Sequence, residues 1–227
     1  AITIGTLAIN DGNGGNNYNL TFVSNNFEIK KRAIEVTADP GQFKTYGDAD
    51  PTFTYSITSG SLAFTDSFTG ALSRVAGEDA GLYAITIGSL AISDGNGGNN
   101  YNLTFVSNNF EIKKRAIQVT ADAGQFKIYG AADPTFTYTI TSGSLAFSDT
   151  FTGALSRVAG ENVGLYAITI GTLAINDGNG GNNYIITNNG AEFTINKRPI
   201  QVTADAGQFK TYGDADPTFT YSITSGS

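Results

Sequence analysis

The segment AITIGTLAI at Ala1 returns as AITIGSLAI at Ala84 and as AITIGTLAI at Ala167, a spacing of 83 residues each time. Residues 1–83 and 84–166 differ at 11 positions, among them Thr6/Ser89, Glu35/Gln118, Pro40/Ala123, Thr45/Ile128, Asp48/Ala131 and Asp79/Asn162. Similarity that close inside one chain records duplication, and it commits the chain to one local fold used in series. Solenoid units run about 20 to 45 residues and cannot stand alone, whereas this period is long enough for a small domain. Self-contained beads are expected, not a single coiled stack.

The phase follows from the run FEIKKRAIEV at residues 27–36, which recurs as FEIKKRAIQV and FTINKRPIQV. Each time it joins one strand pattern to the next across three polar or basic residues. Boundaries placed there give complete repeats at 32–114 and 115–197, the C-terminal part of a repeat at 1–31 and the N-terminal part of a further one at 198–227. The two end pieces together lack a counterpart of residues 62–83, so a window onto a longer array is expected. Exposed edges at such ends predict strand complementation between units or chains. The first residues lack the basic and apolar regions of a secretion signal, and no apolar run approaches the ~18 residues of a membrane span. A mature stretch with no membrane insertion is expected.

Within a repeat the apolar period is two. Residues 52–58 (TFTYSIT) put Phe53, Tyr55 and Ile57 on one face and hydroxyl side chains on the other. The same alternation fits residues 34–36, 83–87, 101–105 and 110–112, each bounded by Gly, Asn, Asp or Pro. Residues 69–75 form a candidate sixth strand, and residues 62–68 are the one place for a short helical turn. The resulting class is all-β: small tandem β-sandwich domains, Ig-like or β-grasp-like, with little helix. Phe43, Tyr46, Ile57, Phe64, Val75, Ile87 and Tyr101 join the expected core, and Tyr18 reads as core like Tyr101. In the second copy Phe105 is replaced by Asn188, and the last strand pair is expected to shift there.

Composition then removes whole classes of function. The chain has no Cys and no His, and 20 acidic against 13 basic residues. Thiolate and imidazole chemistry, disulfides and ordinary zinc sites are excluded, and a net charge of −7 disfavours nucleic acid. No nucleophile with a base is visible, so an enzyme is not expected. The loop DGNGGNN places Asp11 and Asn13, Asp94 and Asn96, and Asp177 and Asn179 like the start of a calcium loop. The bidentate closing Glu of such a loop is missing: Phe22, Phe105 or Asn188 stands in its place. A Gly/Asn turn using positive φ is the simpler reading, and no cofactor other than calcium is entertained. The two carboxylates of Tyr46-Gly-Asp-Ala-Asp-Pro51 read as a turn, because the first of them is Ala131 in the second copy. Lys44, Lys127 and Lys210 recur beside strands. Each reads as a solvated edge lysine, with an intramolecular amide cross-link to a nearby Asn as the alternative. Eight cations sit at the proposed junctions: Lys30, Lys31, Arg32, Lys113, Lys114, Arg115, Lys197 and Arg198. They are expected to pair with carboxylates of the neighbouring repeat, such as Asp48 or Asp50, and to bias its angle while adding only about 0–1 kcal/mol per exposed pair.

Residues 44–51 (KTYGDADP), 68–74 (FTGALSR), 76–85 (AGEDAGLYAI), Asn100 with Tyr101, and 110–113 (FEIK) together resemble the YGX-type MBG domains. These are tandem, mostly β repeats of very large bacterial surface and secreted proteins, and the likeness runs through the whole chain. It implies an extracellular location at the bacterial surface and a structural role in a rigid stalk or filament, with an adhesin binding glycan or a host or matrix protein as the alternative. The partners it implies are neighbouring repeats and other copies, and it supplies no catalytic residues.

Overall fold

The computed structural model describes residues 1–226, which contain strands and turns and no helix. The first complete repeat contributes β1 (Arg32–Ala38), β2 (Phe43–Thr45), β3 (Tyr55–Ser59), β4 (Ser67–Thr69), β5 (Ser73–Arg74), β6 (Gly81–Thr86), β7 (Ala91–Ser93), β8 (Tyr101–Val106) and β9 (Asn109–Lys113). The second follows 83 residues later with β10 (Arg115–Ala121), β11 (Phe126–Ile128), β12 (Tyr138–Ser142), β13 (Thr150–Thr152), β14 (Ser156–Arg157), β15 (Gly164–Thr169), β16 (Ala174–Asn176), β17 (Tyr184–Asn189) and β18 (Glu192–Asn196). A hairpin of β19 (Gln201–Ala204) and β20 (Tyr221–Ser225) follows.

In RAIQVTA the alternation does its expected work: Ile117, Val119 and Ala121 are buried and the residues between them are not. Strand β10 is central, antiparallel to β12 and parallel to β17, with Arg115 opposite Tyr184 and Thr120 opposite Asn189. A second sheet runs β11-β18-β15-β14, with β11 parallel and β15 antiparallel to β18, and β13 pairs with β16. The first repeat uses the same orders, β3-β1-β8, β2-β9-β6-β5 and β4-β7. Each first strand thus lies beside the second-to-last one, a parallel pairing that needs a long connection and closes the repeat on itself.

The chain packs as two compact units. One comprises Ala1–Gln42, Thr52–Val75 and Ala84–Phe110. Its core gathers Ile34, Ile92 and Tyr101 with Leu62, Ala63, Phe68 and Leu103, and Phe53 meets Phe110 edge-on at 5.1 Å. The other comprises Phe43–Pro51, Ala76–Tyr83 and Glu111–Ser227. In it Phe193 and Ile195 are fully buried and Phe136 meets Phe193 at 5.2 Å. The sequence repeat and the packing unit are out of phase, because three stretches of the first repeat, residues 43–51, 76–83 and 111–114, pack with the second.

Several expectations are corrected. Of residues 62–68, 63–66 make a tight non-helical turn that leads into β4, with Asp66 N–H donating to Ala63 C=O; Phe64 sits at φ 50°, outside the helical region. Phe43, Ile57, Phe64, Val75 and Ile87 are exposed. Ile57 lies on β3, an edge strand whose one neighbour is β1, and nothing covers its face. The last strand pair does not shift: β17 and β18 keep the positions of β8 and β9, because the backbone ladder pairs whatever side chain it carries. The cost of Asn188 is a buried Oδ1 without a partner. Residues 1–31 form no strand, and Tyr18 is exposed. Among the described residues the terminal strands pair only as the β19–β20 hairpin.

Candidate inter-repeat joint

The joint grows from the turn at Tyr46, Gly47 and Asp48. Strand β2 pairs in parallel with β9, Phe43 opposite Glu111 and Thr45 opposite Lys113, and Tyr46 N–H continues the ladder to Lys113 C=O at 2.8 Å. Asp48 N–H closes the turn on Thr45 C=O at 3.0 Å, with Gly47 between them at φ +86°. That left-handed conformation favours glycine. Here close approach adds a second demand: a Cβ on Gly47 would stand 2.4 Å from the Cβ of Ala146. The turn therefore carries Tyr46 out of its own repeat and into the next.

Tyr46 is only 4% exposed. Its ring meets Tyr184 at 5.3 Å and Phe147 at 5.4 Å, both edge-on, the favourable geometry for aromatic quadrupoles. Its hydroxyl donates to Asp149 Oδ2 at 3.2 Å, where the Tyr184 hydroxyl also donates at 2.6 Å and in turn accepts Ala146 N–H. Burial, and then the neighbouring Asp149 carboxylate, push the Tyr184 phenol up to about 12. Phe147 presents its ring from φ 49°; Phe64 and Phe147 are the non-glycine residues with positive φ among the described residues. Strain of this kind, on the order of 1–3 kcal/mol, persists where the surroundings over-determine it and often marks function.

Two further grips complete the joint. Arg115 Nε donates to Tyr46 C=O at 2.7 Å and its Nη2 pairs with Asp48 Oδ1 at 2.5 Å. Asn183, 0% exposed, donates from Nδ2 to Asp79 Oδ1 at 2.9 Å and accepts Ala80 N–H at 2.8 Å. A buried amide satisfied on both ends by the preceding repeat is a specific latch.

Of the candidate calcium loops, the one opened by Asp177 builds this latch. Asp177 accepts backbone N–H groups of Asn179, Gly181 and Asn183 at 2.8, 2.7 and 3.0 Å. Asp94 does the same with Asn96, Gly98 and Asn100, and Asp11 with Asn13, Gly15 and Asn17. At Asp94 and Asp177 burial works against ionisation, but the convergent N–H donors outweigh it and hold the carboxyl below its usual range. At Asp11 the Gly15 N–H leads the same effect. The carboxylate oxygens face amide donors, which repel a cation as readily as they hold an anion. Among the described residues no three His, Cys, Asp or Glu side chains converge as a metal site.

The junction cations separate. Arg115 grips Asp48, Lys113 covers the Phe43 ring at 3.4 Å, and Lys114 is the single residue between β9 and β10. Arg32 donates to Ser61 Oγ at 3.0 Å, and with Lys30 and Lys31 it borders a cleft. Lys197 and Arg198 border another beside Tyr129, where a Cβ on Gly130 would stand 3.2 Å from Arg198 Nη1. Asp50 pairs inside its own repeat, with Lys44 at 2.7 Å.

In the two complete repeats the recurrent lysine, Lys44 or Lys127, is buried and not a solvated edge residue, whereas Lys210 is exposed. Lys127 is buried between Asp133 at 2.7 Å and Glu161 at 2.5 Å, and Arg157 joins both carboxylates at 2.7 and 2.6 Å. Hydrogen bonds to Asp133 and Glu161 raise the Lys127 ammonium above its usual value. Arg157, foremost, holds the Asp133 carboxyl below its own. Amide formation with an Asn needs a neutral amine, and this cluster holds Lys127 as an ammonium between two carboxylates. It is an ion-pair network.

Sequence reasoning read the Tyr-Gly-Asp segment as a turn but missed its docking, along with Asn183, Asp79 and Ala146. The available signal was an aromatic residue inside a polar Gly/Asp turn. No curated protein and no solved structure matches the chain. A family model described as MBG domain (YGX type) matches twice, at residues 34–111 and at 117–194, the two repeats that meet at this joint. With more than half of its length so matched, the chain belongs to the MBG domain (YGX type) family and carries two of its domains in tandem.

Proposed function

We propose that the chain is a structural repeat segment of an extracellular bacterial surface protein or fibre, and that its joints hold successive small β-sandwich domains at a set spacing in a rigid extended stalk. The observation that carries this reading is the burial of Tyr46 in the next repeat, with Arg115 and Asn183 gripping the flanking loops. A one-residue connector leaves little freedom, and a buried aromatic anchor removes more. The role is mechanical. Small-angle scattering tests it: a rod profile for the whole chain, with an added flexible component in Tyr46→Ala, is expected, and a compact globule would sink the reading. A glycan or matrix-protein adhesin is the competing use of such an array, and signal on a glycan array from the wild-type chain would favour it.

A further inference from the structure

The socket that receives Tyr46 is built from Arg115, Ala146, Phe147, Asp149, Asn183 and Tyr184. The first repeat carries the same six residues as Arg32, Ala63, Phe64, Asp66, Asn100 and Tyr101. They line a cleft of about 590 Å³. Its internal bonds are those of the filled socket: Tyr101 hydroxyl donates to Asp66 Oδ2 at 2.6 Å and accepts Ala63 N–H at 2.7 Å. Phe64 holds the same positive φ as Phe147, yet it is 101% exposed against 67% for Phe147, whose ring meets Tyr46. A backbone strained to present an aromatic ring to solvent points to a missing occupant.

A matching plug is present at the other end of the sequence. Residues 210–216 (KTYGDAD) are identical to residues 44–50, whereas the second repeat's version has Ala131 in place of the Asp. The turn is already set: Asp214 N–H donates to Thr211 C=O at 3.0 Å, Gly213 lies at φ +91°, and Lys210 pairs with Asp216 at 2.6 Å. Tyr212 is 103% exposed. Charges agree as well, since Lys30, Lys31 and Arg32 rim the cleft and Asp214 and Asp216 flank the plug.

We propose that Tyr212, Gly213 and Asp214 of one copy enter the Arg32, Phe64, Asp66 and Tyr101 socket of a second copy, so that the chain associates head to tail. Tyr212 takes the place that Tyr46 takes in the second repeat, and Asp214 pairs with Arg32 as Asp48 does with Arg115. The entry is stitched by backbone. Residues 209–211 add in parallel to residues 28–30, as β2 adds to β9, and Tyr212 N–H meets Lys30 C=O. Phe27 and Ile29, exposed in the single chain, stand where Phe110 and Ile112 are buried in the complete repeat. Because plug and socket are different surfaces, the contact is heterologous and does not close into a two-fold dimer.

Sedimentation velocity on the full chain tests this independently of the stalk reading, which concerns the shape of the single chain. The expected result is a weight-average mass that climbs past that of a dimer with concentration and falls with added salt. Tyr212→Ala, at a fully exposed position, and Phe64→Glu, at an equally exposed one, should each leave a monomer. Mixing the two variants should restore one heterologous pair, the intact socket of the first with the intact plug of the second. A wild-type chain that stays monomeric up to near-millimolar concentration, a Tyr212→Ala chain that still associates, or a mixture that fails to pair would each overturn the proposal.

Discussion

At the scale of single residues the joint turns on Gly47 and on two phenols. Three glycines in the same turn differ only in what a Cβ would meet. Gly47 faces Ala146 at 2.4 Å, Gly130 faces the end of Arg198 at 3.2 Å, and Gly213 faces nothing within 4 Å. All three have positive φ, so alanine costs about 1–2 kcal/mol of left-handed strain at each. Gly213→Ala should stop there, in a local turn that leaves the melting temperature unchanged. Gly130→Ala can move a flexible guanidinium aside, while Gly47→Ala must force two repeats apart and should lower the melt most. A flat series in calorimetry would contradict the close approach. The phenol gives a pH signature. Tyr184 is raised from 10.0 to about 12, so the folded chain keeps a proton that the unfolded chain releases. Its contribution is present below pH 10 and is lost as pH rises through about 12. Burial foremost also raises the Tyr46 and Tyr101 phenols, so alkaline absorbance titration should show a late class of phenols that loses one member in Tyr184→Phe.

At the scale of elements, strands here exist by partnership. Residues 1–31 match residues 84–114 at all but positions 6 and 10, yet the later segment holds half of β6 and all of β7, β8 and β9 while the earlier one forms no strand. The difference is tertiary: β8 lies parallel to β1, β7 pairs with β4 and β6 with β5, and residues 1–31 contain no copy of β1, β4 or β5. Alternation therefore revealed which residues can be strands, and the all-β class with it. Parallel closure, the exposed Ile57 face and the Phe64 turn depended on long-range pairing that no local period encodes. The site was legible in the same uneven way: the Tyr-Gly-Asp turn and the junction cations are visible in sequence, but Asn183 acts through a bond to a residue 104 positions away. The charged cluster on β11 and β14 carries its own prediction. Asp133 and Glu161 titrate below their usual 3.8 and 4.5, because Arg157 and Lys127 respectively lead in favouring the ionised forms. Their contribution is present above those usual values and fades as pH falls beneath them. Asp133→Asn should shift acid unfolding of this repeat to higher pH, and an unchanged acid midpoint by circular dichroism would count against the network.

At the scale of the whole molecule, the repeat that evolution copied and the body that packs are offset, because Phe43–Pro51 and Ala76–Tyr83 belong by sequence to the first repeat and by packing to the second. Two forces could hold them there, and their magnitudes decide between them. The Arg115–Asp48 pair is half-exposed on its acidic side and contributes at most about 1 kcal/mol. Tyr46 is nearly fully buried between two aromatic rings, and truncating a buried aromatic costs about 3–5 kcal/mol. The anchor is therefore the tyrosine, with the ion pair setting register, which is how the second repeat can carry Ala131 at the equivalent site and still keep the turn. Stability should then travel through the joint. Phe193→Ala, a cavity in the core of the second repeat, ought to speed amide exchange at Tyr46, Asp48 and Ala80 along with its own strands, since their N–H groups lie in the same packed body. In a Tyr46→Ala background the same cavity should leave those amides no worse than the single change does. If exchange in the two loops ignores Phe193→Ala in the wild-type background, the loops are not held by the second repeat and the joint is only a contact.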